Sequence, residues 1–167
     1  MPTFLLIGPS GAGKTTACEI ITKKSDIKIF DLDKVLKSKI GGGSLSTFHK
    51  ENGDERLFEI SKEAIQEIES SSEDDTIIVI GAGSINLDSS HEWYKQKNLL
   101  SLSGDAEKLY DRGNRQVHHP TIDSYINTEF KTARKSLYQS SKFCLDVTDK
   151  SPDEIADEII KAIKNYR

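Results

Sequence analysis

The chain has 167 residues and a formal net charge of −4, with 30% charged and 35% hydrophobic residues. This length suits one domain with a real core, and the acidic balance excludes a general nucleic-acid binder, which needs a basic face. No apolar run reaches the roughly 18 residues of a membrane span, and the apolar N-terminal stretch lacks the basic residues of a signal peptide. We therefore expect a single cytoplasmic domain over residues 1–167 without nucleic-acid or membrane partners.

The first predicted element is a buried strand at residues 4–7, which leads into a glycine-rich loop. The loop at residues 8–15, GPSGAGKT, fits G-x-x-x-x-G-K-[ST] and opens an amphipathic helix at residues 15–24. Its small residues allow the backbone amides to point inward around an anion. The N-terminus of the following helix, which carries partial positive charge, points at the same anion. This pattern predicts ATP bound by Gly11, Ala12, Gly13, Lys14, Thr15 and Thr16, with Thr15 on Mg²⁺. The alternative is a glycine-rich turn that binds no nucleotide.

An acidic pair follows the second predicted strand, residues 27–30. Asp31 and Asp33 lie where the strand ends, and ligands of open parallel sheets bind beyond that end. Strand alternation would point both carboxylates to one side. One could then serve Mg²⁺, and the other could accept the proton of an attacking hydroxyl. The alternative is a helix cap, because an aspartate before Lys34 is a good N-cap.

A helix and a second small-residue turn come next. Residues 54–70 carry an apolar stripe with helical spacing, and a third strand is predicted at residues 76–80. This strand runs into Gly81-Ala82-Gly83. Small residues there permit a ligand to approach the backbone closely, although a plain turn is nearly as good an interpretation.

The remaining chain predicts strands at residues 98–102 and 144–147 and a last helix. That helix begins after Ser151, which forms a capping box with Glu154. Residues 113–126 show no clean periodicity and are a candidate lid, or else an ordinary surface loop. Strands that alternate with helices predict an α/β fold with a parallel sheet.

The two cysteines, Cys18 and Cys144, are far apart and lack the spacing of a metal site. We expect both to be small buried side chains in a reducing environment rather than a disulfide.

In this order, the features resemble the shikimate kinase family over nearly the whole chain. The landmarks are residues 8–15, Asp31-Leu32-Asp33, residues 41–54, Gly81-Ala82-Gly83, Arg112, His119-Pro120, Arg134, Leu137-Tyr138 and Pro152. The resemblance implies a three-layer P-loop NTPase fold, in which a five-stranded parallel sheet of order 2-3-1-4-5 has helices on both faces and a lid. It also implies an ATP-dependent phosphotransferase that acts on an alcohol group.

The resemblance further implies roles for individual residues. Asp31 would help to hold Mg²⁺, while Asp33 would contact and activate the substrate hydroxyl. Lys14 is the second expected catalytic residue. The other expected ligand contacts are Arg112 and Pro152 beside adenine, Gly81, Ala82 and Gly83 along the substrate pocket, and Arg134 on the substrate carboxylate.

Departures from the family pattern concern the substrate pocket and the lid. Phe58 stands where the family has an arginine, and Lys62, one turn further, could reach the pocket only as a point charge. The lid arginine is replaced by His119, with Arg115 as a candidate substitute, although His118 and His119 could equally be solvent-exposed loop residues. We expect that phosphoryl transfer survives and that the acceptor is either shikimate or another hydroxylated metabolite.

Two other functions stay open at this point. The chain could be a nucleotide-binding regulatory module that has lost catalysis, although such a module does not require Asp33. It could also be a nucleotide hydrolase, for which no water-positioning residue stands out. We expect a monomer that uses ATP and Mg²⁺ and a small hydroxyl-bearing substrate.

Overall fold

The computed structural model describes residues 1–81, 90–112 and 119–166. Five parallel strands form one sheet in the order β2-β3-β1-β4-β5. The strands are β1 (Thr3–Ile7), β2 (Lys28–Asp31), β3 (Thr76–Val79), β4 (Leu99–Ser103) and β5 (Phe143–Asp146). The predicted fold class and strand order are therefore confirmed.

Helices connect the strands. Within the described ranges they are α1 (Lys14–Lys24), α2 (Leu32–Lys39), α3 (Leu45–Ser71), α4 (Ser90–Lys95), α5 (Ala106–Tyr110), α6 (Ile122–Glu129), α7 (Thr132–Gln139) and α8 (Pro152–Asn165). Among the described helices, none combines the length and the apolar character that crossing a membrane requires.

The central strand β1 divides the core into two layers because its side chains alternate. Phe4 and Leu6 belong to a cluster with residues of α1 and α8, whereas Leu5 and Ile7 belong to a cluster with residues of α2, α3, α4 and α7. The sheet is thus covered on both faces, which explains why its middle strand reads as an unbroken apolar run.

Helix α3 is longer than the predicted helix at residues 54–70 and is interrupted inside. Gly53 has φ 83° and ψ 174°, so the element consists of two helical stretches, 45–52 and 54–71. This left-handed φ favours glycine because a side chain there clashes with the backbone. The second stretch confirms the predicted helix and its buried stripe.

The start of α8 also follows the prediction. The Ser151 hydroxyl accepts a hydrogen bond from the Glu154 amide at 3.2 Å, and the Glu154 carboxylate accepts one from the Ser151 amide at 3.3 Å. Pro152 is the first helical residue. The capping box fixes where the loop after β5 turns into the helix.

The prediction for the cysteines is half wrong. Cys18 is buried in α1, but Cys144 is exposed. β5 is an edge strand, and its alternate side chains, Cys144 and Asp146, face solvent. An apolar-looking sequence therefore does not make every residue of an edge strand part of the core.

The candidate lid has a more regular second half than its sequence indicates. Residues 122–126 lie in α6, which is capped by Thr121 and buries Tyr125. The first half, residues 113–118, lies outside the described residues.

Candidate active site

The loop between β1 and α1 is shaped by its glycines. A Cβ on Gly8 would lie 2.5 Å from the carbonyl oxygen of Leu102, so the loop passes β4 too closely for any side chain. Gly11 and Gly13 have φ values of 90° and 89°. These left-handed residues turn the chain sharply into the first turn of α1.

The lysine of the loop folds back over it. The Lys14 ammonium donates hydrogen bonds to the carbonyl oxygens of Gly8 at 2.7 Å and Pro9 at 3.1 Å. Within the described chain, no side chain caps the N-terminus of α1 at Gly13. A fixed cation therefore lies beside the uncapped amides of a helix N-terminus, which is a favourable environment for phosphate.

A cavity of about 350 Å³ opens on this loop. It is lined by Ser10, Gly11, Gly13, Lys14, Thr15, Thr16 and Gly81. Five of the six residues predicted to hold the triphosphate thus line one cavity, together with the first residue of the predicted substrate turn. The sixth, Ala12, is fully buried beneath the loop. We refer to this space as the phosphate cavity.

A second cavity of about 320 Å³ shares Gly11, Gly13 and Thr16 with the phosphate cavity. Arg112 and Pro152, the two residues predicted to flank adenine, line it with Lys150 and Ile155. The Arg112 guanidinium is held in place because it donates to the carbonyl oxygens of Val147 at 2.9 Å and Thr148 at 2.8 Å. The structure therefore brings these two residues together in a cavity that adjoins the phosphate cavity.

The two predicted metal ligands, Thr15 and Asp31, line a third, smaller cavity of about 150 Å³. Asp31 also caps α2, because one of its carboxylate oxygens accepts from the amides of Asp33 at 3.0 Å and Lys34 at 3.4 Å. The acidic pair therefore does supply a helix cap, but the cap is Asp31 and not Asp33, the aspartate directly before Lys34. This capping role is compatible with a metal role, since a carboxylate can accept from amides through one oxygen and bind a cation through the other.

Asp33 is positioned by a different secondary-structure element from the one predicted. β2 ends at Asp31 and α2 begins at Leu32, so strand alternation does not apply to Asp33. The carboxylate nevertheless lies against Gly81, where a Cβ would come within 2.6 Å of one of its oxygens. Because Gly81 has no side chain, this space stays open for the Asp33 carboxylate. Gly81 also lines the phosphate cavity, so Asp33 lies at the edge of that cavity.

A buried tyrosine stands near Asp33. Tyr94 is fully buried, and its hydroxyl makes no hydrogen bond to any residue that the structure describes. Burial raises the pKa of Tyr94, and the negative charge of Asp33 raises it further. The hydroxyl therefore stays protonated and can donate a hydrogen bond.

Phe58 forms part of an aromatic cluster. Its ring centroid lies 6.0 Å from that of Trp93 and 6.3 Å from that of Tyr94, and the Lys62 ammonium lies 4.7 Å above the Phe58 ring. We call Phe58, Trp93 and Tyr94 the aromatic wall.

Arg134, the residue predicted to bind a substrate carboxylate, is 1% exposed and pairs with an internal carboxylate. Its guanidinium donates to Glu129 at 2.6 Å. A ring nitrogen of His119 lies 3.3 Å from the other oxygen of Glu129. His119 is 9% exposed, so its interpretation as a solvent-exposed loop residue is wrong.

Sequence reasoning missed Glu129 and Tyr125. The Tyr125 hydroxyl donates to the Ser10 carbonyl at 2.5 Å, and the Ser10 amide donates to Glu129 at 3.3 Å. These contacts join residues more than a hundred positions apart, and no local pattern signals them. Three predicted residues, Ala82, Gly83 and Arg115, lie outside the described residues.

A glycine-rich loop of this form, at the carboxyl end of a parallel sheet of order 2-3-1-4-5, defines the P-loop class of nucleotide-binding proteins. The family model described as Shikimate kinase matches residues 10–164. The chain therefore belongs to the shikimate kinase family.

Individual proteins are similar to this chain in sequence or in fold. A shikimate kinase of Thermodesulfovibrio yellowstonii is 26% identical over 96% of this chain and 94% of its own length. The threonine synthase-like 1 protein of Macaca fascicularis is 28% identical over 98% of this chain but only 22% of its own length. Among solved structures, the Acinetobacter baumannii shikimate kinase in complex with shikimate has a TM-score of 0.74 at 18% identity, covering 100% of this chain and 95% of that chain. This last likeness concerns the fold.

Proposed function

We propose that this chain is an ATP-dependent kinase that transfers the γ-phosphate to a hydroxyl group of a small metabolite. The observation that carries the proposal is the position of Asp33, whose carboxylate lies against Gly81. Gly81 lines the same cavity as Lys14 and Thr15. A phosphate-binding loop and a carboxylate at the edge of one cavity are what phosphoryl transfer to a hydroxyl requires.

The nucleotide would lie along the P-loop. Its triphosphate would occupy the phosphate cavity, and its adenine would enter the neighbouring cavity between Arg112 and Pro152. Thr15 and Asp31 would hold Mg²⁺, which supplies charge neutralisation for the transferring phosphoryl group. On binding, the Lys14 ammonium would exchange its bonds to the loop carbonyls for phosphate oxygens.

Asp33 would orient the acceptor. Its carboxylate accepts a hydrogen bond from the attacking hydroxyl and takes the proton as the new oxygen–phosphorus bond forms. The bond between the γ-phosphorus and the oxygen that bridges it to the β-phosphate breaks in the same transfer, and ADP leaves. The uncapped amides at the start of α1 and the Lys14 ammonium stabilise the charge that develops on the phosphoryl oxygens. Asp33 can orient the acceptor and take its proton without contacting the nucleotide.

The acceptor is shikimate or another hydroxylated metabolite. Shikimate is the first compound to test, because the Thermodesulfovibrio relative is named as a shikimate kinase. The pocket residues argue for a wider panel, since Phe58 belongs to the aromatic wall and Arg134 is paired with Glu129.

The test is ADP formation by the purified chain with ATP, Mg²⁺ and a panel of hydroxylated metabolites that includes shikimate. We expect ADP release that depends on one acceptor, together with a phosphate monoester product detectable by phosphorus NMR. ATP binding without acceptor-dependent ADP release would contradict the proposal and favour a nucleotide-binding module that has lost catalysis. Turnover that is independent of any acceptor would favour a hydrolase.

A further inference from the structure

The glycines of the P-loop give its backbone a freedom that the rest of the fold has to restrict. Gly8, Gly11 and Gly13 have positive φ values between 89° and 155°. Because glycine has no Cβ, an unsupported loop of this composition would sample many backbone conformations. A phosphate site needs the conformation in which the amides converge on the anion. Contacts that select this conformation therefore affect how tightly the loop binds.

Helix α6 supplies two such contacts, and both reach Ser10. The Tyr125 hydroxyl donates to the Ser10 carbonyl oxygen at 2.5 Å, and the Glu129 carboxylate accepts from the Ser10 amide at 3.3 Å. Tyr125 is fully buried and Glu129 is 3% exposed, so both side chains are shielded from bulk water. Two neighbouring peptide units of the loop are thereby attached to one helix.

The Tyr125 contact sets the direction of an amide at the phosphate cavity. The Ser10 carbonyl and the Gly11 N–H belong to one planar peptide unit, and the described residues contain no cis peptide bond. In a trans unit the carbonyl and the N–H point in opposite directions. Because Tyr125 fixes the carbonyl, the N–H of Gly11 is directed away from Tyr125, and Gly11 lines the phosphate cavity.

The Glu129 contact can persist when nucleotide binds. The Ser10 amide and the Pro9 carbonyl belong to one peptide unit, and this carbonyl accepts from the Lys14 ammonium at 3.1 Å. In the proposed function, Lys14 leaves the carbonyl for phosphate oxygens. Glu129 binds the opposite edge of the unit and takes no part in that exchange. The unit therefore keeps its attachment to α6.

A carboxylate beside a phosphate site is electrostatically unfavourable, and Arg134 offsets this effect. Its guanidinium donates to Glu129 at 2.6 Å, and the two side chains are 1% and 4% exposed. Each charge of such a buried pair compensates the other. Glu129 can therefore accept from the Ser10 amide without presenting a net negative charge to the nucleotide.

We propose that Tyr125 and Glu129 are positioning residues of the P-loop, which hold the peptide units on either side of Ser10 in the arrangement that binds the nucleotide phosphates. They act through Ser10 and not by touching the nucleotide. The inference rests on the proposed function, because it concerns the nucleotide that the P-loop is proposed to bind. It also assigns the second half of the candidate lid, where Tyr125 lies, to the support of the loop.

The first experiment removes one hydroxyl from α6. Tyr125→Phe keeps the ring, which packs against Tyr110 and Phe130, and loses the hydroxyl that bonds to Ser10. Calorimetric titration with a non-hydrolysable ATP analogue and Mg²⁺ should show binding weakened by about three- to tenfold, the size of one net hydrogen bond. Wild-type affinity in the folded variant would overturn the inference.

Tyr166→Phe is the matched control. The Tyr166 hydroxyl donates to Asn98 at 2.9 Å, just before β4 and so at the opposite end of the sheet from the P-loop. We expect this variant to bind the analogue with wild-type affinity. Both titrations are made well below the melting temperature, where a merely structural loss of stability does not change the affinity of the folded chain. Equal weakening in the two variants would overturn the inference.

The second experiment shortens the carboxylate and keeps its charge. Glu129→Asp retains a counter-charge for Arg134, but the loss of one methylene draws the carboxylate away from the Ser10 amide. We expect the affinity for the ATP analogue to fall by about threefold or more. Glu67→Asp is the control, since Glu67 is exposed and pairs with Lys39 on the surface. Wild-type affinity in folded Glu129→Asp would overturn the inference.

A third measurement needs no variant. Amide hydrogen exchange of the nucleotide-free wild-type chain should show Ser10 protected relative to an unfolded peptide, because its amide is bonded to Glu129. Exchange at the unprotected rate would overturn the inference, even if neither variant folds.

These outcomes are separate from those of the proposed function, which is tested by ADP formation. A wild-type chain that binds the analogue but transfers phosphate to no acceptor would defeat the kinase and leave the affinity ratios of the variants valid. Acceptor-dependent turnover together with wild-type affinity in Tyr125→Phe would defeat only the inference. Absence of nucleotide binding by the wild-type chain would overturn both.

Discussion

Asp33 is the residue on which phosphoryl transfer depends in this account. We expect Asp33→Asn to lower kcat by about 10²–10⁴-fold, because an amide cannot take the proton of the attacking hydroxyl. ATP affinity should stay nearly unchanged, since the triphosphate-binding residues lie on the P-loop. Steady-state kinetics and a nucleotide titration of the same preparation measure both.

The control for Asp33 is Asp26→Asn, which removes an exposed carboxylate just before β2, at the opposite end of the strand. It should leave both quantities at their wild-type values. The proposed role of Asp33 is wrong if Asp33→Asn keeps most of the wild-type kcat.

The two cysteines should differ sharply in reactivity. Burial raises the pKa of the Cys18 thiol to about 12, and the nearby charge of Asp31 contributes in the same direction. At a pH well below that value Cys18 is a neutral thiol, and the thiolate is the reactive form. Cys144 is exposed. Brief alkylation at mildly alkaline pH, analysed by mass spectrometry, should modify Cys144 and spare Cys18.

Two variants of the alkylation experiment identify the site. Cys144→Ser should remove the rapid adduct, and unfolding in denaturant should make Cys18 react. Equal rates for both thiols in the folded wild-type chain would contradict the burial of Cys18.

At the scale of the elements, the N-terminus of α8 is defined by a capping box. Ser151→Ala removes the side-chain acceptor of the capping box, so the free energy of unfolding should fall by about 1 kcal/mol. Denaturant unfolding measures this change. The effect should extend to the nucleotide site, because Pro152, the next residue, lines the proposed adenine cavity.

A matched serine distinguishes capping from a general loss of a hydroxyl. Ser70 is exposed, and its hydroxyl donates to a carbonyl within the last turns of α3. Ser70→Ala should change the free energy of unfolding by less than about 0.5 kcal/mol. Equal losses in the two variants would show that the cap adds nothing specific to α8.

The elements that sequence predicted well are those with local signals. The capping box at Ser151 and the apolar stripe of residues 54–70 can be read without tertiary information, and both are present. The prediction that strand alternation orients Asp33 was wrong because α2 begins one residue after Asp31. The apolar pattern of a strand does not indicate where the following helix begins. The final position of Asp33 at Gly81 depends on the neighbouring strand β3.

On the scale of the whole molecule, the order of motifs predicted more than any motif alone. The P-loop, the acidic pair and the small-residue turn, taken in chain order with the other landmarks, led to the resemblance to the shikimate kinase family, and that resemblance implied the sheet order that the structure has. Contacts that join distant segments could not be predicted in this way. The Glu129 contacts to Ser10 and Arg134 depend on how α6 and α7 pack beside the P-loop, which no local pattern indicates.

Binding of a nucleoside triphosphate by the P-loop underlies every other role proposed for this chain, and calorimetric titration with a non-hydrolysable ATP analogue and Mg²⁺ tests it most directly. We expect saturable binding at one site by the wild-type chain, and binding weakened by about tenfold or more in Lys14→Met, which loses the charged contact with the phosphates. Absence of binding by the folded wild-type chain at millimolar nucleotide would contradict the account.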